Sequence, residues 1–471
     1  MTTKTRFAPS PTGLIHLGNL RTALFSWLAA HKLGGKFVLR IEDTDAERSR
    51  LEYVTALMAD LHWLGLDWQE GPEVEGPQAP YFQSRRDAIY QGFYAVLEAQ
   101  GNAYPCYCTP EELALSRKLQ LSQGRAPRYA GTCRHLDANG RAAHEAVGRQ
   151  PTLRFRVPDD EEIGFDDAVR GPQRFASADI GDFIIRRADG SPAFFFCNAV
   201  DDALMGITLV LRGEDHLSNT PRQILILQAL NLPVPQYGHM ALIVGEDGQP
   251  LSKRNGSRTV EELRASGFFP EALNNYLTRL GHPLESEALL GLEALAAQFK
   301  VERLSRSPAR FDAQQLAFWQ HQALLNLPWQ RVWDWMAPEV DGLVPESARE
   351  AFVAAVRPNL SIPEDAALWA AVCFGEPAIA PDAEGILQST SKGFWQFALS
   401  GLADSGTDFK ALAKSVSALS GQKGKALFLP LRVALTGQTH GPELAALLPL
   451  IGGERAAARL HTALEMAHAD L

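Results

Sequence analysis

The 471-residue chain predicts an α/β protein: a doubly wound domain split by an insertion, followed by a mostly helical half. Three observations carry this expectation. A strand, turn, helix, strand, helix succession opens the chain at residues 5–66. Strand signals return at residues 183–212 after a stretch of different texture. Beyond residue 325 the sequence is rich in alanine and leucine, with helical periodicity and no strand alternation.

The opening element is Arg6-Phe7-Ala8-Pro9-Ser10-Pro11-Thr12-Gly13-Leu14-Ile15-His16-Leu17-Gly18-Asn19. It reads as a short strand, a turn stiffened by Pro9 and Pro11, and a helix marked by Leu17, Leu20, Leu24, Trp27 and Leu28. His16 and Gly18 then fall in the first helical turn, where unpaired N–H groups and the helix dipole favour an anion. Gly18 permits close backbone approach, and His16 adds a donor. Gly34-Gly35 ends this helix, and residues 36–41 read as a buried strand with Glu42-Asp43-Thr44-Asp45 at its carboxyl end. Open α/β sheets bind ligands there. Glu42 suits an ammonium group or a ribose, whereas Asp43 and Asp45 suit capping or pairing with nearby arginines.

In residues 85–195, Cys106-Tyr107-Cys108 and Cys133-Arg134-His135 flank a helix started by the capping box Thr109-Pro110-Glu111-Glu112. Cys106, Cys108, Cys133 and His135 suit one tetrahedral structural zinc ion per chain. Cys197 and Cys373 lie in apolar contexts and read as core thiols. Phe183 to Arg186, a turn at Asp189-Gly190 and Ala193 to Cys197 read as a hairpin. A buried strand then ends in Arg212-Gly213-Glu214-Asp215-His216, and Thr220-Pro221 starts a helix. An arginine so placed can meet a carboxylate bidentately. Residues 245–256 read as a mobile loop carrying Lys253 and Arg254, two cations able to close over a polyphosphate. In the helical half, Trp329, Val332, Trp333 and Met336 form a core stripe.

Composition narrows the class further. At 46% apolar and 21% charged residues, with no apolar run near membrane-span length, the chain reads as globular and not membrane-bound. Five cysteines and the absence of a leader-like apolar stretch point to a reducing, cytoplasmic setting. A net charge of −10 confines any nucleic-acid surface to a local patch.

The segment from Pro11 to Asn19 resembles the HIGH motif of class I aminoacyl-tRNA synthetases, and Leu251-Ser252-Lys253-Arg254 resembles their KMSKS loop. More narrowly, the chain is similar to bacterial glutamyl-tRNA synthetases. The similarity rests on Arg6 to Gly13, Leu39 to Asp45, Arg212 to His216, the Cys/His quartet, Phe269 to Leu277 and Pro430 to Gly437, in order along the chain. It implies a Rossmann-type catalytic domain at 1–84 and 196–240, and an acceptor-end-binding insertion at 85–195. It further implies a KMSKS and stem-contact region at 241–325 and an α-helical anticodon-binding domain at 326–471.

The implied reaction is ATP-dependent ligation of L-glutamate to tRNA(Glu) through a glutamyl-adenylate, with Mg²⁺ accompanying ATP and bound tRNA needed for activation. His16 and Lys253 would be catalytic. His16, Gly18, Asn19, Ser252, Lys253 and Arg254 would bind ATP. Arg6, Ala8, Ser10, Glu42, Phe194, Asn198 and Arg212 would bind glutamate. Phe194 stands where the family usually has tyrosine, Pro250 where KMSKS has its first lysine, and Asn19 where HIGH has its second histidine. The resemblance also implies a monomer. Alternatives are an enzyme that also charges, or is specialised for, tRNA(Gln); a tRNA(Asp) queuosine glutamylator, which would lack the anticodon half; a small-molecule nucleotidyltransferase; and a non-enzymatic RNA-binding protein.

Overall fold

The computed structural model describes residues 2–45, 47–251 and 258–467. The chain forms two compact units, Met1–Arg264 with Leu273–Ala313, and Ala265–Ala272 with Gln314–Leu471.

In the first unit, β1 (Lys4–Phe7) leads through the proline turn into α1 (Leu17–Lys32), β2 (Lys36–Leu39) and α2 (Leu51–Trp63). β1 and β2 pair in parallel from Lys4↔Lys36 to Phe7↔Leu39. The turn before β2 needs glycine twice. Gly34 sits at φ +60°, and a Cβ on Gly35 would run into the Thr3 carbonyl. On the other side of β1 lies β8 (Leu209–Gly213), where Thr208 N donates to Lys4 O over 2.9 Å. β8 in turn pairs in parallel with β9 (Gln236–Met240). Strand order therefore reverses direction at β1. The crevice beyond the carboxyl ends of β1 and β8 is the place where such sheets take a ligand.

Between β2 and β8 the chain inserts α3 (Asp87–Ala99), β3 (Ala103–Cys106), α4 (Pro110–Ser122), α5 (Ala138–Ala146), β4 (Thr152–Phe155), β5 (Glu162–Asp167), β6 (Gly171–Ala176), α6 (Ser177–Ile180), β7 (Phe183–Arg186) and α7 (Phe194–Leu204). β3, β4 and β7 form an antiparallel sheet, and β5 and β6 a separate hairpin. That hairpin's turn reaches β9, with Ala168 N donating to Tyr237 O at 2.8 Å. The capping box expected at Thr109 and Glu112 is present.

One expectation is corrected. The turn at Asp189-Gly190 forms, and Ala193 N returns to Ile185 O, but Phe194 begins helix α7 and not a strand. The aromatic run reads equally as either element, and the pattern continuing through Val200 and Ala203 decides it. Phe196, Cys197, Val200 and Ala203 are all buried at helical spacing.

Asp60, on α2, is 4% exposed, and its Oδ2 has no hydrogen-bond partner. Burial, opposed by Arg264 and reinforced by Glu261, pushes its carboxyl up to about 6. The native state thus keeps a proton that the unfolded chain releases near pH 3.9, so stability falls as pH rises from there to about 6. Asp60→Asn is expected to stabilise the unit by about 1–2 kcal/mol at pH 8 and to be near neutral at pH 4. Calorimetric unfolding at the two pH values checks this.

The second unit is helical. Lys392–Ser405 packs on Phe409–Ser420 and Gly453–Met466. The crossing is close at Gly401, where an added Cβ would lie 3.2 Å from Leu412 Cδ1. Val332, Trp333 and Met336 of the aromatic stripe are buried, as expected of core, and Cys373 is buried too. No helix among the described residues is long and apolar enough to cross a membrane.

Candidate active site

The crevice at the strand ends opens as a cavity of about 370 Å³. Arg6, Ala8, Ser10, Glu42, Phe194, Asn198 and Arg212 all line it, together with Gly18 and Asn19. Each arrives from a different element. Arg6 comes from β1, Ala8 and Ser10 from the proline turn, Glu42 from just past β2, Phe194 and Asn198 from α7, and Arg212 from β8.

The site is floored by buried charge. Asp202 on α7 meets Arg6 Nε at 3.1 Å and Arg40 Nη1 at 2.7 Å. Burial alone would raise the Asp202 carboxyl, but the two guanidiniums outweigh it and hold it below the usual carboxylate range. Arg40 also donates to Glu42 Oε1 at 3.2 Å, and Asn198 Nδ2 donates to the same oxygen. At Glu42 the balance is reversed, since burial prevails over Arg40 and Arg6 and the carboxyl is pushed up. An ammonium group beside it would restore the carboxylate. Asp45 pairs with Arg48 as expected, whereas Asp43, among the described residues, neither caps the next helix nor meets an arginine and accepts from Ser84 N and Oγ.

Arg212 is 5% exposed. Its Nη2 donates to Thr220 Oγ1 and Gln223 Oε1, both at 2.7 Å, and its Nε to His239 Nε2 at 3.1 Å. Nη1 has no partner, and burial lowers the guanidinium to about 10. A buried donor without a partner, on a residue lining a ligand-sized cavity, can take an anion. Phe194 packs its ring 5.6 Å from that of His216.

His16 is the N-cap residue of α1. It makes no side-chain cap bond, and the first turn carries no acidic residue, leaving the helix terminus to an anionic ligand. Gly18 is not demanded by the fold, because a Cβ there would meet nothing within 4 Å. Ser252, Lys253 and Arg254 lie outside the described residues. Their flanks are described. Leu251 N bonds Ile243 O on one side, while on the other Thr259 pairs with His16 and Val260 N donates to Ile15 O at 3.1 Å. The described chain thus resumes at the α1 terminus with Thr259 and Val260.

The thiols of Cys106, Cys108 and Cys133 gather within 4.8 Å of one another. His135 is exposed and outside this group, correcting the expected quartet. Tyr129 Oη takes its place, 3.3 Å from Cys106 Sγ and 3.6 Å from Cys108 Sγ, with Arg154 stacked 3.8 Å over its ring. Sequence spacing favoured the His in Cys-x-His, but the chain carries its side chain outward.

Residues that sequence reasoning missed are the partners behind the site: Asp202, Arg40, Gln223, Thr220, His239 and Asp167. One signal was available, the adjacent Asp201-Asp202 inside an apolar helical run, where charges imply buried partners. Asp201 is held by Arg86, Gln83 and Tyr90.

A split parallel sheet with a helix terminus and an arginine facing one cavity defines a nucleotide-using α/β enzyme. Residues 2–318 match the family model of the catalytic domain of class I tRNA synthetases (E and Q), and residues 330–464 match an anticodon binding domain. The chain belongs to this class I tRNA synthetase family. It is 57% identical over 463 residues to glutamate–tRNA ligase 2 of Acidithiobacillus ferrooxidans, covering 98% of this chain and 96% of that one. It is 56% identical to glutamate–tRNA ligase 1 of Methylococcus capsulatus, covering 97% of each. A crystal structure of a glutamate tRNA ligase from Elizabethkingia meningosepticum in complex with its amino acid superposes with a TM-score of 0.89 at 26% identity, covering 99% of both chains.

Proposed function

We propose that this chain ligates L-glutamate to tRNA(Glu) at the expense of ATP. The observation that carries the reading is the convergence of Glu42, Arg6 and the open Nη1 of Arg212 on one cavity beside the α1 terminus. Glu42 would take the glutamate ammonium group and Arg212 the side-chain carboxylate. The α1 terminus, His16 and Gly18 would hold the phosphates of ATP, which enters with Mg²⁺. A glutamate α-carboxylate oxygen bonds to the α-phosphorus, the bond from that phosphorus to the bridging oxygen breaks, and pyrophosphate leaves. Lys253 would offset its charge. A terminal ribose hydroxyl of the tRNA then attacks the acyl carbon and AMP departs. Positioning and charge account for most of such catalysis.

Residues 330–464 supply the part that a tRNA(Asp) glutamylator or small-molecule enzyme would lack. ATP–pyrophosphate exchange with glutamate, with and without tRNA(Glu) or tRNA(Gln), followed by charging of each tRNA, tests the reading. Glutamate-dependent exchange that requires tRNA, with charging of tRNA(Glu), is expected. Charging of tRNA(Gln) would widen the specificity, and no exchange under any condition would refute the proposal.

The donor set of Cys106, Cys108 and Cys133 with Tyr129 Oη fits zinc, which would tie β3 to the loop carrying Cys133. Metal analysis of protein purified without chelator should find about one zinc per chain. Cys106→Ser is expected to lose most of it, and His135→Ala to keep it. Equal zinc in wild type and Cys106→Ser would remove this assignment.

A further inference from the structure

Arg212 is steered by neutral groups, and the histidine among them is itself fixed from outside the catalytic sheet. His239, on β9, is fully buried, and Asp167, at the end of β5, is 3% exposed. The imidazole Nδ1 lies 2.5 Å from Asp167 Oδ2, while Nε2 lies 3.1 Å from Arg212 Nε and 2.9 Å from Thr220 Oγ1. A carboxylate only accepts and an arginine Nε only donates. The imidazole proton is therefore assigned to Nδ1, and Nε2 offers its lone pair to Arg212. Asp167 is itself held, because its Oδ1 accepts from Val169 N at 2.9 Å, Arg170 N at 2.8 Å and His239 N at 3.1 Å.

We propose that Asp167 and His239 are positioning residues for glutamate selection. Asp167 locks the imidazole in the Nδ1–H tautomer, and the Nε2 lone pair, with Thr220 and Gln223, orients Arg212 so that Nη1 is left for the substrate carboxylate. The proposal rests on the reading of Arg212 as a glutamate ligand. Neutrality of the acceptor matters. A carboxylate in place of His239 would satisfy the guanidinium charge and compete with the substrate, whereas an imidazolium would set N–H against N–H. Burial lowers His239 and, with Arg212 and Arg170, outweighs the upward pull of Asp167, which keeps the ring neutral.

Asp167→Asn keeps an oxygen for the three backbone N–H groups but turns an amide N–H toward Nδ1. That draws the ring into its Nε2–H tautomer, donor against donor at Arg212. In tRNA charging, the glutamate KM is expected to rise about tenfold or more, as when an outer partner of a bound ring is lost. The ATP KM and the unfolding midpoint should stay close to wild type. His239→Gln presents an amide oxygen to Arg212 whatever stands at 167, so its glutamate KM should rise less, and adding Asp167→Asn should raise it no further. An unchanged glutamate KM in Asp167→Asn, equal rises for glutamate and ATP, or multiplying effects in the double variant would overturn the proposal. If Asp167→Asn does not fold, His239→Leu against His239→Gln decides, and equal glutamate KM values in those two variants would overturn it. Arg212→Ala separates the premise from the proposal. An unchanged glutamate KM there removes the premise, whereas a raised one beside a silent Asp167→Asn removes only the positioning role.

Discussion

Replacing Asp202 by alanine is expected to destabilise the catalytic unit by about 3–5 kcal/mol, because it removes the carboxylate that two buried guanidiniums share and leaves Arg40 only Glu42. Arg40 is fully buried, Arg6 is 4% exposed, and both lean on this one carboxylate. Against a typical total of about 5–15 kcal/mol, the loss threatens folding itself. Urea unfolding followed at the tryptophans of the first unit measures it, and Asp202→Asn, which keeps one acceptor, should lose less. The pH dependence has a definite sign. The native carboxyl lies below its ordinary value, so its contribution is present above the unfolded pKa near 3.9 and is lost as pH falls through the native one. A midpoint within error of wild type would show that the two arginines find other partners.

His16→Ala should keep the backbone cap of α1 and remove about 3–4 kcal/mol of transition-state stabilisation, a hundred- to thousandfold fall in exchange rate. The histidine's backbone caps α1, with Leu20 N bonded to His16 O at 2.9 Å, and alanine can supply that carbonyl equally well. What alanine cannot supply is a donor at the helix terminus where phosphates would gather. Steady-state exchange at saturating ATP is the measurement. A loss confined to the ATP KM would assign His16 to ground-state binding, and an unchanged rate would remove it from the reaction.

The site's lining was legible because its residues sit in short contiguous stretches with their own local logic: a proline turn, a strand end, a helix start. Arg6 came only from the family resemblance, while Glu42 and Arg212 could each be named from such a stretch. Their partners could not. Asp202 meets Arg6 across 196 positions, and Asp167 meets His239 across 72, and nothing in either local pattern announces the other. The Phe194 run failed for another reason, since four apolar residues fit a strand or a helix, and only the register of the following turns separates the two. His135 failed because spacing specifies which side chains are near in sequence and not which way the loop turns them.

The placement of β1 beside β8 has a consequence for biogenesis. Lys4 finds its sheet neighbour Thr208 only 204 residues later, so the central pairing is among the least local in the chain. During synthesis the first strand must wait with an open edge until the whole insertion and α7 have emerged. Any nascent chain halted before then lacks the Asp202 carboxylate that Arg6 and Arg40 share. Closing the nucleotide crevice thus waits for the emergence of β8.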